Sequence, residues 1–108
     1  MYRMNTSISA PQKLKIEKEN IKLEKMMDKK ILNKKLLESE VKDFDFKLQV
    51  LEKEMDSVKN DSFSYVYNFK IYKKFYSQKV KKEDKQHSLY VHINTIHEMI
   101  VENTKKIE

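Results

Sequence analysis

Three histidines, His87, His92 and His97, are the first residues to weigh for chemistry. Imidazole is both a general base and the commonest metal ligand. The three stand five residues apart. A helical metal pair needs i, i+4 spacing, so that both rings share one face. A five-residue step carries each ring off the face of the last. The chain has no cysteine, so neither a thiolate zinc site nor a disulfide can form. It has no glycine either, which removes glycine-rich phosphate loops and dinucleotide fingerprints. Glu52 and Glu54 are close together but fall in a heptad frame, where a solvated face is the default. Serines, acids and histidines occur in any chain of this size, so a hydrolytic triad cannot be argued from their presence. These residues predict a non-enzymatic protein with no catalytic residues, no metal and no cofactor.

Lysines and aromatics form the second chemical group. A candidate basic patch comprises Lys70, Lys73, Lys74, Lys79, Lys81 and Lys82. Interleaved with it are Phe69, Tyr72, Phe75 and Tyr76, with Phe63, Tyr65 and Tyr67 just before. Such mixing suits stacking of single-stranded nucleic acid, with phosphates held by lysine. The same charges suit an acidic protein surface such as a microtubule. Arginine is the better stacking and bidentate donor, and the chain's one arginine is Arg3, outside this stretch. Periodic aromatics also build cores, so these seven are candidates either for docking or for the core of a small head.

The net charge of +6 is unevenly spread. Lys13–Lys35 holds nine lysines and four acids, Glu38–Asp61 four lysines and eight acids, and Lys70–Lys85 seven lysines and two acids. The pattern is basic, acidic, basic.

The acidic stretch coincides with the clearest structural signal. Leu37, Val41, Phe44, Leu48, Leu51, Met55 and Val58 recur at alternating steps of four and three. That is the a/d spacing of a coiled coil. A stripe this narrow needs a second helix against it, either a copy of itself or a different partner. In a parallel self-pair, Lys47–Glu52 and Glu54–Lys59 attract, while Glu40–Asp45 and Glu19–Glu24 repel. The flanking charges therefore allow self-pairing without specifying it. Toward the N-terminus the frame continues through Ile16, Asn20, Leu23, Met27, Lys30 and Lys34. A buried asparagine sets register in such seams, and lysines weaken them.

Ser9 and Gln12 have capping-box spacing, with Pro11 in the first turn. The Asn-Asp-Ser cluster at 60–62 predicts a turn, with Asp61 or Ser62 capping a new helix. Beyond it, Phe63, Tyr65, Tyr67, Phe69 and Ile71 alternate with other residues, which predicts a strand over 63–72. A competing helical stripe runs Tyr65, Phe69, Tyr72, Tyr76 and Val80. Lys79–Gln86 is expected as a charged loop and Leu89–Ile93 as a second strand. Thr95 and Glu98 are expected to cap a last helix from Ile96 to about Lys106.

The expected fold is mainly α. A flexible tail covers residues 1–8 and a long coiled-coil helix covers 9–60, strongest over 37–58. A small aromatic-rich head covers 61–108, made of two short strands and a helix or, alternatively, all helical. Charged residues make up 37 % of the chain, against about 25 % in ordinary domains, which favours an elongated helical arrangement. No apolar run approaches the roughly 18 residues of a membrane span, and Met1–Ala10 lacks an apolar signal region. The expected setting is intracellular, cytoplasmic or nuclear, without membrane contact. A mitochondrial address is a minor alternative, suggested by the absence of acids before Glu17. Together these features predict a structural or adaptor subunit. It would associate through the coiled coil and dock its head onto a larger cytoskeletal or chromosomal assembly. The alternatives are a basic nucleic-acid-binding protein and a small regulator that inhibits or recruits a partner.

Overall fold

A computed structural model describes residues 8–108. The expected tail at 1–8 lies outside the described residues except for Ile8. Two helices account for nearly all the rest: α1, Ala10–Ser57, and α2, Ser62–Ile107.

Helix α1 begins where the cap spacing places it. The Ser9 amide donates to Gln12 Oε1 at 3.1 Å, and the Gln12 amide donates to Ser9 Oγ at 3.3 Å. Two amides that a helix leaves unpaired are thereby satisfied reciprocally. With no interior proline or glycine, nothing interrupts the helix before Ser57. The turn then uses side chains where glycine would be usual. The Asp61 amide donates to the Val58 carbonyl at 2.8 Å. Asp61 Oδ1 accepts from the Phe63 and Ser64 amides at 3.2 and 3.3 Å, and Oδ2 accepts from the Ser64 hydroxyl at 2.9 Å. Asp61 is thus the N-cap of α2. These bonds to the ionised form, led by the Ser64 hydroxyl, hold its carboxyl below the usual aspartate range.

The strand expectations are overturned. Residues 63–72 and 89–93 are helical throughout, as is the stretch Lys79–Gln86 expected as a loop. The alternation in Phe63–Ile71 does not mark one buried face, because Phe63, Tyr67 and Phe69 are exposed whereas Tyr65 and Ile71 are half-buried. Two short strands would leave unpaired edges, whereas a capped helix satisfies its own backbone. Lysine, glutamate and glutamine carry Lys79–Gln86 as good helix formers. The Thr95–Glu98 cap is also overturned. Thr95 sits inside α2 and donates its hydroxyl to the Val91 carbonyl at 3.0 Å.

Burial along both helices follows a seven-residue repeat. On α1 the positions Ile16, Asn20, Leu23, Met27, Lys30, Lys34, Leu37, Val41, Phe44, Leu48, Leu51, Met55 and Val58 are all half-buried or buried. On α2 the equivalent positions are Tyr65, Asn68, Tyr72, Phe75, Lys79, Lys82, Gln86, Leu89, Ile93, Ile96, Ile100, Asn103 and Ile107. Their steps alternate three and four without a break, so each helix presents a single stripe. The arrangement is coiled-coil-like.

The chain packs as two compact units. One joins the segment ending at Asn33 with Leu89–Glu108, and the other is Lys34–Ser88. In the first, Leu23 and Ile96 are buried. Asn20 lies opposite Asn103, and Gln12, Ile16 and Glu19 share a shallow groove with Lys105 and Lys106, so the helix segments run antiparallel. In the second, Leu48 is 5 % exposed. Glu40 meets Lys82, Asp45 meets Lys79 and Glu52 meets Tyr72. Partners descend on α2 as they ascend on α1, which makes this unit an antiparallel helical hairpin. Among the described residues no helix is long and apolar enough to cross a membrane.

Candidate interaction surface

The seam residues Leu37, Val41, Phe44, Leu48, Leu51, Met55 and Val58 all lie in the Lys34–Ser88 unit, where α2 runs alongside them. The rings of Phe44 and Phe75 sit 6.0 Å apart across the two helices. The Lys47 ammonium lies 5.4 Å from the first ring centroid and 5.5 Å from the second. The exposed Lys47 thus sets its charge over both rings in a cation–π contact.

The aromatic candidates divide by heptad position. Tyr65, Tyr72 and Phe75 are half-buried toward α1. Phe63 and Tyr67 are 83 % and 61 % exposed, and Phe69 and Tyr76 are also exposed. Two of the outer rings are braced by inner ones one helical turn away. Phe69 lies 6.2 Å from Tyr65, and Tyr76 stacks on Tyr72 at 6.4 Å with planes 14° apart. Tyr72 in turn donates its hydroxyl to Glu52 Oε1 at 3.0 Å, which raises its pKa above that of a free phenol.

The basic candidates divide in the same way. Lys79 and Lys82 occupy seam positions and turn to α1 carboxylates. Lys79 Nζ lies 2.5 Å from Asp45 Oδ1, and Lys82 pairs with Glu40. The bond to Asp45 raises the Lys79 pKa. Lys70, Lys73, Lys74 and Lys81 are exposed. Among the described residues none of these four has a carboxylate within 4.0 Å. The Lys73 ammonium rests 5.1 Å over the Phe69 ring. Ser62–Lys82 contains six lysines and no acid, and the four that do not turn to α1 leave the exposed part of this stretch positive.

The structure adds residues that the sequence pattern did not single out as surface. Val66 and Val80 are exposed on α2, and Leu36, Phe46 and Val50 are exposed on α1. Heptad numbering would have found them, because they fall outside both stripes. Asn103 is buried and donates its amide to Asn20 Oδ1 at 3.0 Å.

His87, His92 and His97 are exposed on α2. Among the described residues no three histidine, aspartate or glutamate side chains gather as metal ligands. What the surface offers is contact chemistry: rigid rings, aliphatic side chains and unpaired ammonium groups. Compared with known protein families, characterised proteins and solved structures, this chain matches none.

Proposed function

We propose that this chain is a non-enzymatic helical adaptor, one subunit of a larger assembly. It docks through the exposed face of α2 between Phe63 and Lys81. One observation carries the reading: large apolar and aromatic side chains stand exposed among four lysines that have no carboxylate partner among the described residues. Phe63 and Tyr67 are mostly exposed and lie outside the stripe packed on α1, yet exposing them costs solubility. Aromatic residues of this kind anchor protein interfaces. Contiguous exposed apolar patches mark interaction sites more often than they mark ordinary surface. The coiled-coil-like pairing of α1 and α2 serves as the scaffold that holds the face rigid.

The test is the native mass of the complex this chain forms in cells, with its partner identified. Replacing Phe63 and Tyr67 together by serine is expected to return the chain to a species of its own mass. Phe46→Ser on α1 serves as a control that leaves the complex intact. A chain that migrates alone before any substitution overturns the reading. Interleaved lysine and aromatic residues also support a second reading, single-stranded nucleic-acid binding. It predicts retention on an oligonucleotide that collapses with salt.

A further inference from the structure

Four exposed apolar residues of α2 have a regularity that the rest of its surface lacks. Val66, Phe69, Tyr76 and Val80 fall, with Lys73 between them, at steps of three, four, three and four. This is the same spacing as the stripe packed on α1, displaced by one residue around the helix. It is a second a/d seam, about two heptads long, on the flank of the first. From this geometry we infer that the seam receives an acidic amphipathic helix from another protein, which would lie against α2 as a third helix. This rests on the docking reading above and specifies its partner.

Three features select that occupant. The first is shape. Knobs at 3–4 spacing make holes that accept the knobs of another helix. A base-stacking platform has no use for Val66 and Val80, and Phe69 and Tyr76 stand about 10 Å apart along the axis. The second is rigidity. Phe69 is braced by Tyr65 and Tyr76 by Tyr72, so little side-chain freedom remains to be lost on binding. The third is charge. Lys73 stands in the stripe and Lys70 flanks it, both exposed and without partners among the described residues, with Lys74 and Lys81 farther round the same helix. Glutamate or aspartate beside the partner's seam would neutralise them.

Charge also argues against a second copy of this chain. Two copies meeting through this stripe would set Lys73 against Lys73 among further lysines, and such juxtaposition is strongly unfavourable. The outer face of α1, around Leu36, Phe46 and Val50, is of mixed sign, with Lys47 and Lys53 beside Asp43 and Glu54, so it is a poor match for a lysine-bearing stripe.

The experiment titrates the full chain with a synthetic helical peptide of about three heptads, leucine at a and d and glutamate at the flanking positions. A second peptide has lysine for glutamate, and a single-stranded oligonucleotide is the third probe. The glutamate peptide is expected to bind at least about tenfold more tightly than either competitor. Phe69→Ala and Tyr76→Ala should each weaken it about tenfold or more, as central aromatic anchors do. The pair Lys70→Glu and Lys73→Glu lies on exposed positions away from the α1 contact, so folding should be unaffected. It should reverse the preference toward the lysine peptide, while Phe46→Ala changes nothing. Equal binding of the two peptides, no binding of either, or tighter binding of the oligonucleotide overturns the inference. If the peptides fail while Phe63→Ser with Tyr67→Ser still releases the chain from its native complex, only the acidic helix is refuted. If the chain has no native complex, the docking reading falls as well.

Discussion

At the scale of single residues, the bond between buried Asn103 and half-buried Asn20 is the most consequential polar contact. Asn103 is 8 % exposed and its amide has Asn20 Oδ1 as partner. A buried amide is tolerated when it is hydrogen-bonded and costs about 1–3 kcal/mol when it is not. Asn20→Leu should therefore destabilise the chain by about 1–3 kcal/mol in urea unfolding, because it strands Asn103. Replacing both by leucine should recover most of that loss or exceed it, since an apolar pair needs no partner. What the double variant should lose is register, visible as broadened or duplicated amide resonances. A single variant as stable as the wild type would show that the pair is not coupled. Asn20 was recognisable from its place in the α1 frame. Asn103 was not, because no seam through the C-terminal half was legible without knowing that α2 is continuous.

At the scale of elements, Asp61 and Thr95 decide where α2 begins and that it does not restart. The Asp61 carboxylate binds the Ser64 hydroxyl and two amides in its ionised form, so its folded pKa is lowered. Its stabilising contribution is fully present above the ordinary aspartate pKa and is lost as pH falls through the lowered folded value. Asp61→Asn keeps a cap but has nothing to titrate. The difference in melting temperature between wild type and this variant should be constant near neutral pH and change only in acid. A difference that changes between pH 6 and 8 would contradict this assignment. Thr95→Pro tests the other point. At the start of a helix, proline would be accepted, but inside α2 it removes a hydrogen bond and clashes with the preceding turn. It should cost about 3 kcal/mol. A neutral effect would restore the capping box that the sequence suggests. That box was a reasonable inference from Thr95 and Glu98. Its failure shows that a threonine hydroxyl can be satisfied by the carbonyl four residues earlier as readily as by a cap.

For the whole molecule, the quantity that matters is how little is buried. Leu23, Leu48 and Ile96 are the buried hydrophobics of the described residues, and none of their side chains is fully enclosed. Ion pairs such as Lys79–Asp45 lie in partly exposed positions and contribute only about 0–1 kcal/mol each. Leu48→Ala should cost about 2–3 kcal/mol, at the lower end for leucine because the site is not sealed from water. In a chain with so small a core, that loss should leave a substantial unfolded fraction at 25 °C, measurable by far-UV circular dichroism. An unchanged unfolding midpoint would refute the role given to Leu48. The same scarcity of burial means that any ligand held by the folded chain should raise its melting temperature in a concentration-dependent way.

From the sequence alone came the mainly helical class, the Ser9–Gln12 cap, the turn at 60–62 and the frame whose positions on α1 are the half-buried and buried ones. Each is a local property: a hydroxyl three residues from an acceptor, or an apolar residue every three or four. Tertiary structure alone decided the conformation of 63–107. In Phe63–Ile71 the aromatics fit both period two and period 3.6, so no local count separates strand from helix. The decision came from pairing. Tyr72, Phe75, Lys79 and Lys82 find Glu52, Phe44, Asp45 and Glu40 only if both segments are helical and antiparallel. Lysines at positions 79 and 82 hide that stripe in the sequence, because a charged residue signals surface until its carboxylate partner is in place. The aromatics left outside the pairing, Phe63, Tyr67, Phe69 and Tyr76, acquire their meaning only once it is known what α1 does not cover.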